Sequence, residues 1–238
     1  MTTTEFTLRQ YDNSYPPGIE QHFWNSARNS IIVTTLARAG MADGSLLEIG
    51  CGTGIVLDHL RQRGINCVGC DLANAPVPDR LRDFVSTGTD FRFLPAETRH
   101  AIDGVLLCDV LEHIPDPGSL LSEIRASLPK LRRILVTVPA RKELWSVWDE
   151  HYGHYRRYDP TSLEADLRGG GFEPLSMGYF FHSLYAVMYL LRRRRSETVG
   201  SPRWSLPHRL MSLAFRAEYA LLPAALPGTS LIAVAGAR

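Results

Sequence analysis

Three glycines at alternating positions, Gly50, Gly52 and Gly54, close the stretch "LLEIGCGTG" (46–54). A glycine turn after an apolar strand lets the backbone approach a ligand with no Cβ in the way. Dinucleotide sites use such a turn as G-x-G-x-x-G, with an acid about twenty residues later for the ribose. The spacing here is G-x-G-x-G, and Ile55 or Val56, depending on register, stands where that fingerprint wants its third glycine. Glu48 lies just before the ladder. A carboxylate there repels a pyrophosphate but suits a cationic or hydroxyl-bearing ligand. Asp71, closing "NCVGCD", is placed to accept hydrogen bonds from a ribose diol.

The elements that must hold these residues alternate between strand and helix. An extended arm to Pro17 leads to a helix from Ile19 to Ala39, on which Phe23, Ala27, Ile31 and Leu36 form an apolar stripe. "SLLEIG" is the first strand, and "IVLDHLRQRG" an amphipathic helix stopped by Gly64. "NCVGCD" is the second strand, "DRLRDFVST" a short helix, and an edge strand follows near "TDFRF". "IDGVLLCD" is apolar throughout, as a strand covered on both faces should be. "PGSLLSEIRASL" and "DPTSLEADLRGGGF" are helices; "RRILVTVPA", "EPLSMGYF" and "TSLIAVAGAR" are strands.

This pattern predicts a doubly wound α/β fold, with a mainly parallel seven-stranded Rossmann-like sheet. We divide it into an N-terminal helical cap (1–40), a core (41–179), a helical insertion or lid (180–226) and a final core strand (227–238). Additions at the rim of such a sheet shape a substrate pocket.

Composition narrows the function. The chain has 238 residues, 45% hydrophobic and 21% charged, with a net charge of +1, so no electrostatic case exists for nucleic acid. The N-terminus has no apolar stretch of a signal peptide. The longest apolar run, "MGYFFHSLYAVMYLL" (177–191), is shorter than the ~20 residues needed to span a bilayer. We therefore expect a cytoplasmic protein with no stable membrane insertion. Cys67 and Cys70 form a C-x-x-C within a buried strand, without a second pair to complete a zinc site. They read as structural, and no metal is expected. The run "RRRR" (192–195) is either a solvated helix end or a contact for anionic headgroups, the former being favoured.

"LLEIGCGTG" followed by "VGCDLA" resembles the first two motifs of class I S-adenosylmethionine (SAM)-dependent methyltransferases, and "GVLLCDVLEHIPDP" resembles the family's fourth-strand motif. SAM carries an adenosine, a sulfonium and an amino acid end, but no phosphate. The resemblance implies SAM as cofactor and assigns it Glu48, Gly50, Gly52 and Gly54 in the first motif, and Asp71 and Leu72 in the second. It further implies Asp90 and Phe91 for adenine, and the backbone around Cys108 and Asp109 for the methionine amino group. "YPPGIEQHFWNSAR" is similar to the cap of many bacterial members, with Arg28 as a clamp for the SAM carboxylate. Trp24 and Phe23 either cover the ligand or anchor the helix, and His113 is read as positioning its loop.

Methyl transfer from a sulfonium is an in-line displacement that needs alignment and, for hydroxyl or amine acceptors, loss of a proton. "LWSVWDEHYGHYRRYD" (144–159) holds the densest titratable cluster and resembles a recurrent stretch of uncharacterised bacterial methyltransferases. His154 and Asp149 are its catalytic candidates, as base or as orienters of the acceptor; a loop stapled by His–Asp and Arg–Tyr contacts is the competing reading. The expected reaction is O- or N-methylation of a small-molecule acceptor, apolar, aromatic or lipid-linked. The rivals are an NAD(P)-dependent reductase and a non-catalytic SAM-binding partner protein.

Overall fold

The computed structural model describes residues 16–191 and 205–238. The run 192–195 and nearly all of the N-terminal arm lie outside the described residues. The first strands are short and mostly apolar: β1 (Leu46–Ile49), β2 (Cys67–Cys70), β3 (Val85–Ser86), β4 (Gly104–Cys108) and β5 (Arg133–Pro139). Two longer strands, β6 (Phe172–Phe180) and β7 (Ser230–Ala237), complete one seven-stranded sheet in the order β3-β2-β1-β4-β5-β7-β6. β1 to β5 pair in parallel, whereas β7 runs antiparallel to both β5 and β6.

Helices cover both faces. One face carries Leu47, Val105 and Ile134, packed under α4 (Pro117–Ser127) and α6 (Pro160–Gly169) through Leu121, Ile124, Leu163 and Leu167. The other carries Leu46, Leu106 and Leu135 under α1 (Phe23–Arg38) and α2 (Ile55–Arg61). All four cysteines are free and buried; a Cβ on Gly69 of β2 would stand 2.8 Å from Cys51 Sγ, so the C-x-x-C strand is close-packed core.

Three local expectations are corrected. The helix expected from Ile19 is a 3₁₀ turn, Ile19–Gln21, broken at an extended His22 whose ring accepts from the Trp24 N–H and starts α1 afresh. The helix expected over "DRLRDFVST" is a 3₁₀ segment, Asp79–Phe84, running straight into β3. The edge strand is therefore Val85–Ser86. "TDFRF" is a 3₁₀ turn because the Asp90 carboxylate caps it, accepting from the Arg92 N–H at 2.9 Å. A short helix, α3 (Ala96–Ala101), follows.

Between β5 and α6 the chain folds a further helix, α5 (Val147–His151), started by a reciprocal cap between Ser146 and Asp149. The insertion before β7 supplies α7 (Leu184–Leu191) and α8 (Ser205–Leu221). α8 docks on α1: Phe215 is buried, the Tyr219 and Thr35 hydroxyls meet at 3.0 Å, and His208 Nδ1 accepts from the Phe23 N–H at 3.1 Å. Among the described residues, no helix is long and apolar enough to cross a membrane.

Candidate functional site

The chain leaves β1 and returns to its two sides as β2 and β4, a topological switch point where open α/β sheets bind ligands. A cavity of about 1100 Å³ opens there, at the C-terminal ends of the strands. Its walls include Arg28, Glu48, Gly50, Gly52, Asp71 and Leu72, and beyond them Asp90, Phe91, Cys108, Asp109, Asp149 and His154. Gly54 is not among them. It starts α2 with φ +83°, and a Cβ there would lie 2.9 Å from Leu81 Cδ1, so its glycine serves the backbone turn and the Leu81 contact.

In one half of the cavity the strand ends hold three carboxylates. Asp71 Oδ2 accepts from the Gly52 N–H and Oδ1 from the Ala73 N–H, each at 2.8 Å, which ties the end of β2 to the glycine turn. Glu48 is buried, and its Oε2 has no hydrogen-bond partner. Burial pushes its carboxyl up to about 8, against the Arg28 charge and a hydrogen bond from the Leu57 backbone. Asp109 has φ +57°, donates its N–H to Thr137 O, and accepts from the Thr137 hydroxyl at 3.1 Å. Arg28 reaches down from α1 to pair with the Asp109 carboxylate. Asp90 is gripped by the Arg92 fork, at 2.8 and 2.6 Å, and Arg92 continues to Glu123 at 2.8 Å. Of the two aromatic residues at the start of α1, Trp24 lines the cavity and lies 4.4 Å from Phe181 with the rings tilted, while Phe23 packs on Phe215.

In the other half the segment after β5 folds over the rim. Asp149 is wholly buried: Oδ1 accepts from His154 Nδ1 at 2.9 Å and Arg157 Nε at 2.7 Å, and Oδ2 from the Ser146 N–H at 2.9 Å. Burial raises its carboxyl, but the His154 and Arg157 hydrogen bonds and charges outweigh this and hold it below the ordinary range. A carboxylate so enclosed fixes the orientation of the His154 ring at the cavity wall. The staple expected between arginine and tyrosine is different: Arg156 caps the carbonyls of Ile114 and Pro115, at 3.1 and 2.6 Å. Aromatic Trp148 and Tyr152, with Met188 of α7, also face this half.

Glu112 and His113 are not among the site residues expected from the sequence, whereas the α7 wall falls within the insertion expected to shape the pocket. Glu112 and His113 belong to a 3₁₀ turn, Leu111–His113, after β4. Burial raises the Glu112 carboxyl well above its ordinary value, and Asp109 adds to the rise. Burial, then the neighbouring His154, push His113 down to about 4. The sequence sign available for them is the "EH" pair three residues after Asp109.

A family model described as a methyltransferase domain matches residues 23–177, well over half of the chain. The chain is 38% identical over 91 residues to the ubiquinone biosynthesis O-methyltransferase of Pseudomonas aeruginosa (strain UCBPP-PA14), a match covering 35% of this chain and 39% of that protein. It thus spans about two-fifths of the length of that relative. A similar enzyme of the same name from Chromobacterium violaceum is 25% identical over 189 residues, covering 67% of this chain and 82% of its own. Among solved structures, the 1,6-didemethyltoxoflavin-N1-methyltransferase of Burkholderia thailandensis shares the fold with a TM-score of 0.56 and 19% identity, over 97% of this chain and 84% of that one. The phosphoethanolamine N-methyltransferase 2 of Haemonchus contortus does so with a TM-score of 0.54 and 18% identity, over 88% and 52%.

Proposed function

Because this chain belongs to the SAM-dependent methyltransferase family, we propose that it methylates a hydroxyl of an apolar, aromatic small molecule. One observation carries the reading: a single cavity joins the carboxylates at the ends of β1 and β2 to an imidazole oriented by Asp149. SAM, when bound, supplies a methyl group activated on a sulfonium.

The residues at the strand ends fit such a donor. The orphaned Glu48 Oε2 suits an ammonium, and Arg28 a carboxylate, at the amino acid end. Asp71, fixed by two backbone N–H groups, is the acceptor for ribose hydroxyls, with Leu72 beside it. Asp90 and Phe91 border the adenine position, and Cys108 and Asp109 the methionine backbone. In the acceptor half, Trp148, Tyr152 and Met188 form walls for a flat apolar ring, and His154 faces the atom to be methylated. The two Pseudomonas and Chromobacterium relatives, named for O-methylation in ubiquinone biosynthesis, support a hydroxyl acceptor. Four unpaired buried thiols support work in a reducing compartment, the cytoplasm. In the same reading the insertion contributes its acceptor-side wall through Met188 of α7, while α8 braces α1.

The test is calorimetric titration of the protein and its Gly52→Arg variant with SAM, S-adenosylhomocysteine and NADH, then product release with hydroxylated aromatic rings. Saturable binding of the first two ligands, lost in the variant, is expected. Binding of NADH alone would overturn the donor assignment, and turnover confined to amines would overturn the acceptor class.

A further inference from the structure

One cluster in the acceptor half is left unexplained by packing. Glu112, His113 and His154 each offer one ligand atom, and these atoms all lie within 4.8 Å of one another. Glu112 is only 1% exposed, yet its Oε2 has no hydrogen-bond partner and the residue lines the cavity. A buried carboxylate oxygen left in this way costs free energy unless something binds it.

The surroundings of the cluster are arranged as those of a ligand set are. His154 gives its Nδ1 side to Asp149, which leaves Nε2 for a ligand; metal-binding imidazoles are held in this carboxylate–histidine fashion. Asp149 is itself fixed by Arg157 and Ser146. The His113 and His154 rings meet edge to face, centroids 4.7 Å apart and planes 80° apart, so that both converge on one region. The turn carrying Glu112 and His113 is clamped from the facing segment: the Tyr155 N–H donates to Glu112 O at 2.8 Å, and Arg156 caps the two carbonyls that follow His113. Rigid support of the ligand-bearing segments is what a preorganised metal site requires.

From this geometry we infer that Glu112, His113 and His154 bind a divalent first-row metal cation that holds the acceptor hydroxyl. Two imidazoles and one carboxylate suit such an ion and leave coordination positions open for a substrate oxygen. The inference rests on the methyltransferase reading for its purpose. A cation there polarises the acceptor O–H, whose proton passes to solvent water. The oxygen then forms the O–CH₃ bond as the S–CH₃ bond breaks, and S-adenosylhomocysteine leaves. His154 acts in this scheme as ligand, and Asp149 as its positioning residue.

The experiment is titration of chelator-stripped protein with Mn²⁺, followed by electron paramagnetic resonance, beside calorimetric titration with S-adenosylhomocysteine. Wild type should take up one Mn²⁺ per chain, and Glu112→Gln and His113→Gln should each weaken it roughly tenfold or more. S-adenosylhomocysteine binding should persist in both variants, which also shows that they fold. Mn²⁺ uptake that is absent in wild type, or equal in wild type and both variants, overturns the cation site whatever the nucleoside does. Loss of S-adenosylhomocysteine binding in wild type with variant-sensitive Mn²⁺ uptake leaves the cation site standing and removes the donor reading.

Discussion

Asp71 and Asp149 are both buried carboxylates on the wall of one cavity, yet they are held by different means. Backbone N–H groups of Gly52 and Ala73 fix Asp71, so its position follows from the ends of β2 and the glycine turn. Side chains fix Asp149: the His154 ring and the Arg157 guanidinium share one oxygen, and the capping Ser146 occupies the other. Half of the cavity is thus written into the main chain of the sheet, where many sequences give the same geometry. The other half is a network of side chains in which each member depends on the rest. Donor recognition can stay constant on such a plan while the acceptor end changes residue by residue.

The largest effect should come from cutting the side-chain network. Asp149→Ala leaves Arg157 buried without its carboxylate and should cost about 3–5 kcal/mol, read from urea unfolding. A cost under about 1 kcal/mol would mean that the segment after β5 is no network at all. Next in size is a pH effect at the backbone-held end. Glu48 titrates near 8 in the folded chain and near 4.5 when unfolded, so the folded state holds the extra proton between those values. Its contribution is therefore complete below about 4.5 and is lost as pH rises through 8. Glu48→Gln should abolish this loss, so that wild type falls behind the variant by roughly 4 kcal/mol between pH 5 and 9. Parallel stability profiles would show that Glu48 is solvated. The smallest effect is Gly54→Ala, a positive-φ position off the cavity, at about 1–2 kcal/mol in stability. Its affinity for S-adenosylhomocysteine should stay within a factor of a few; a large drop would put Gly54 back in the ligand site.

The same division decides what can be read from the letters. Glu48, Gly50, Gly52 and Asp71 lie at strand ends in short contiguous motifs, and the sheet brings them together with no help from distant residues. The alternation of strands and helices is legible because apolar runs mark both. Gly54 shows where the motif misleads: of three identical letters, Gly50 and Gly52 border the cavity, whereas Gly54 sets the entry to α2. The "TDFRF" stretch has strand-like aromatic residues, but the local Asp90–Arg92 contacts override that preference and bend it into a turn. Glu112 and His113 are adjacent in sequence, yet they meet His154 only because Arg156 and Tyr155 lay one segment on the other. No spacing rule announces a contact of that kind, and so the sequence reading contains no metal.

The placement of β7 has a further consequence, for assembly. Residues 230–237 enter the sheet between β5 and β6, which each pair with this strand and not with one another. Thr229 and Ser230, at the start of that strand, also line the cavity. A growing chain that has made every earlier strand still carries two open sheet edges and an unfinished pocket wall. The pocket and the sheet are thus closed by one late, long-range event, as a zip is closed by its slider. A nascent chain short of this strand exposes pairing edges to its neighbours, and the last strand of the sheet guards against aggregation as much as it completes the site.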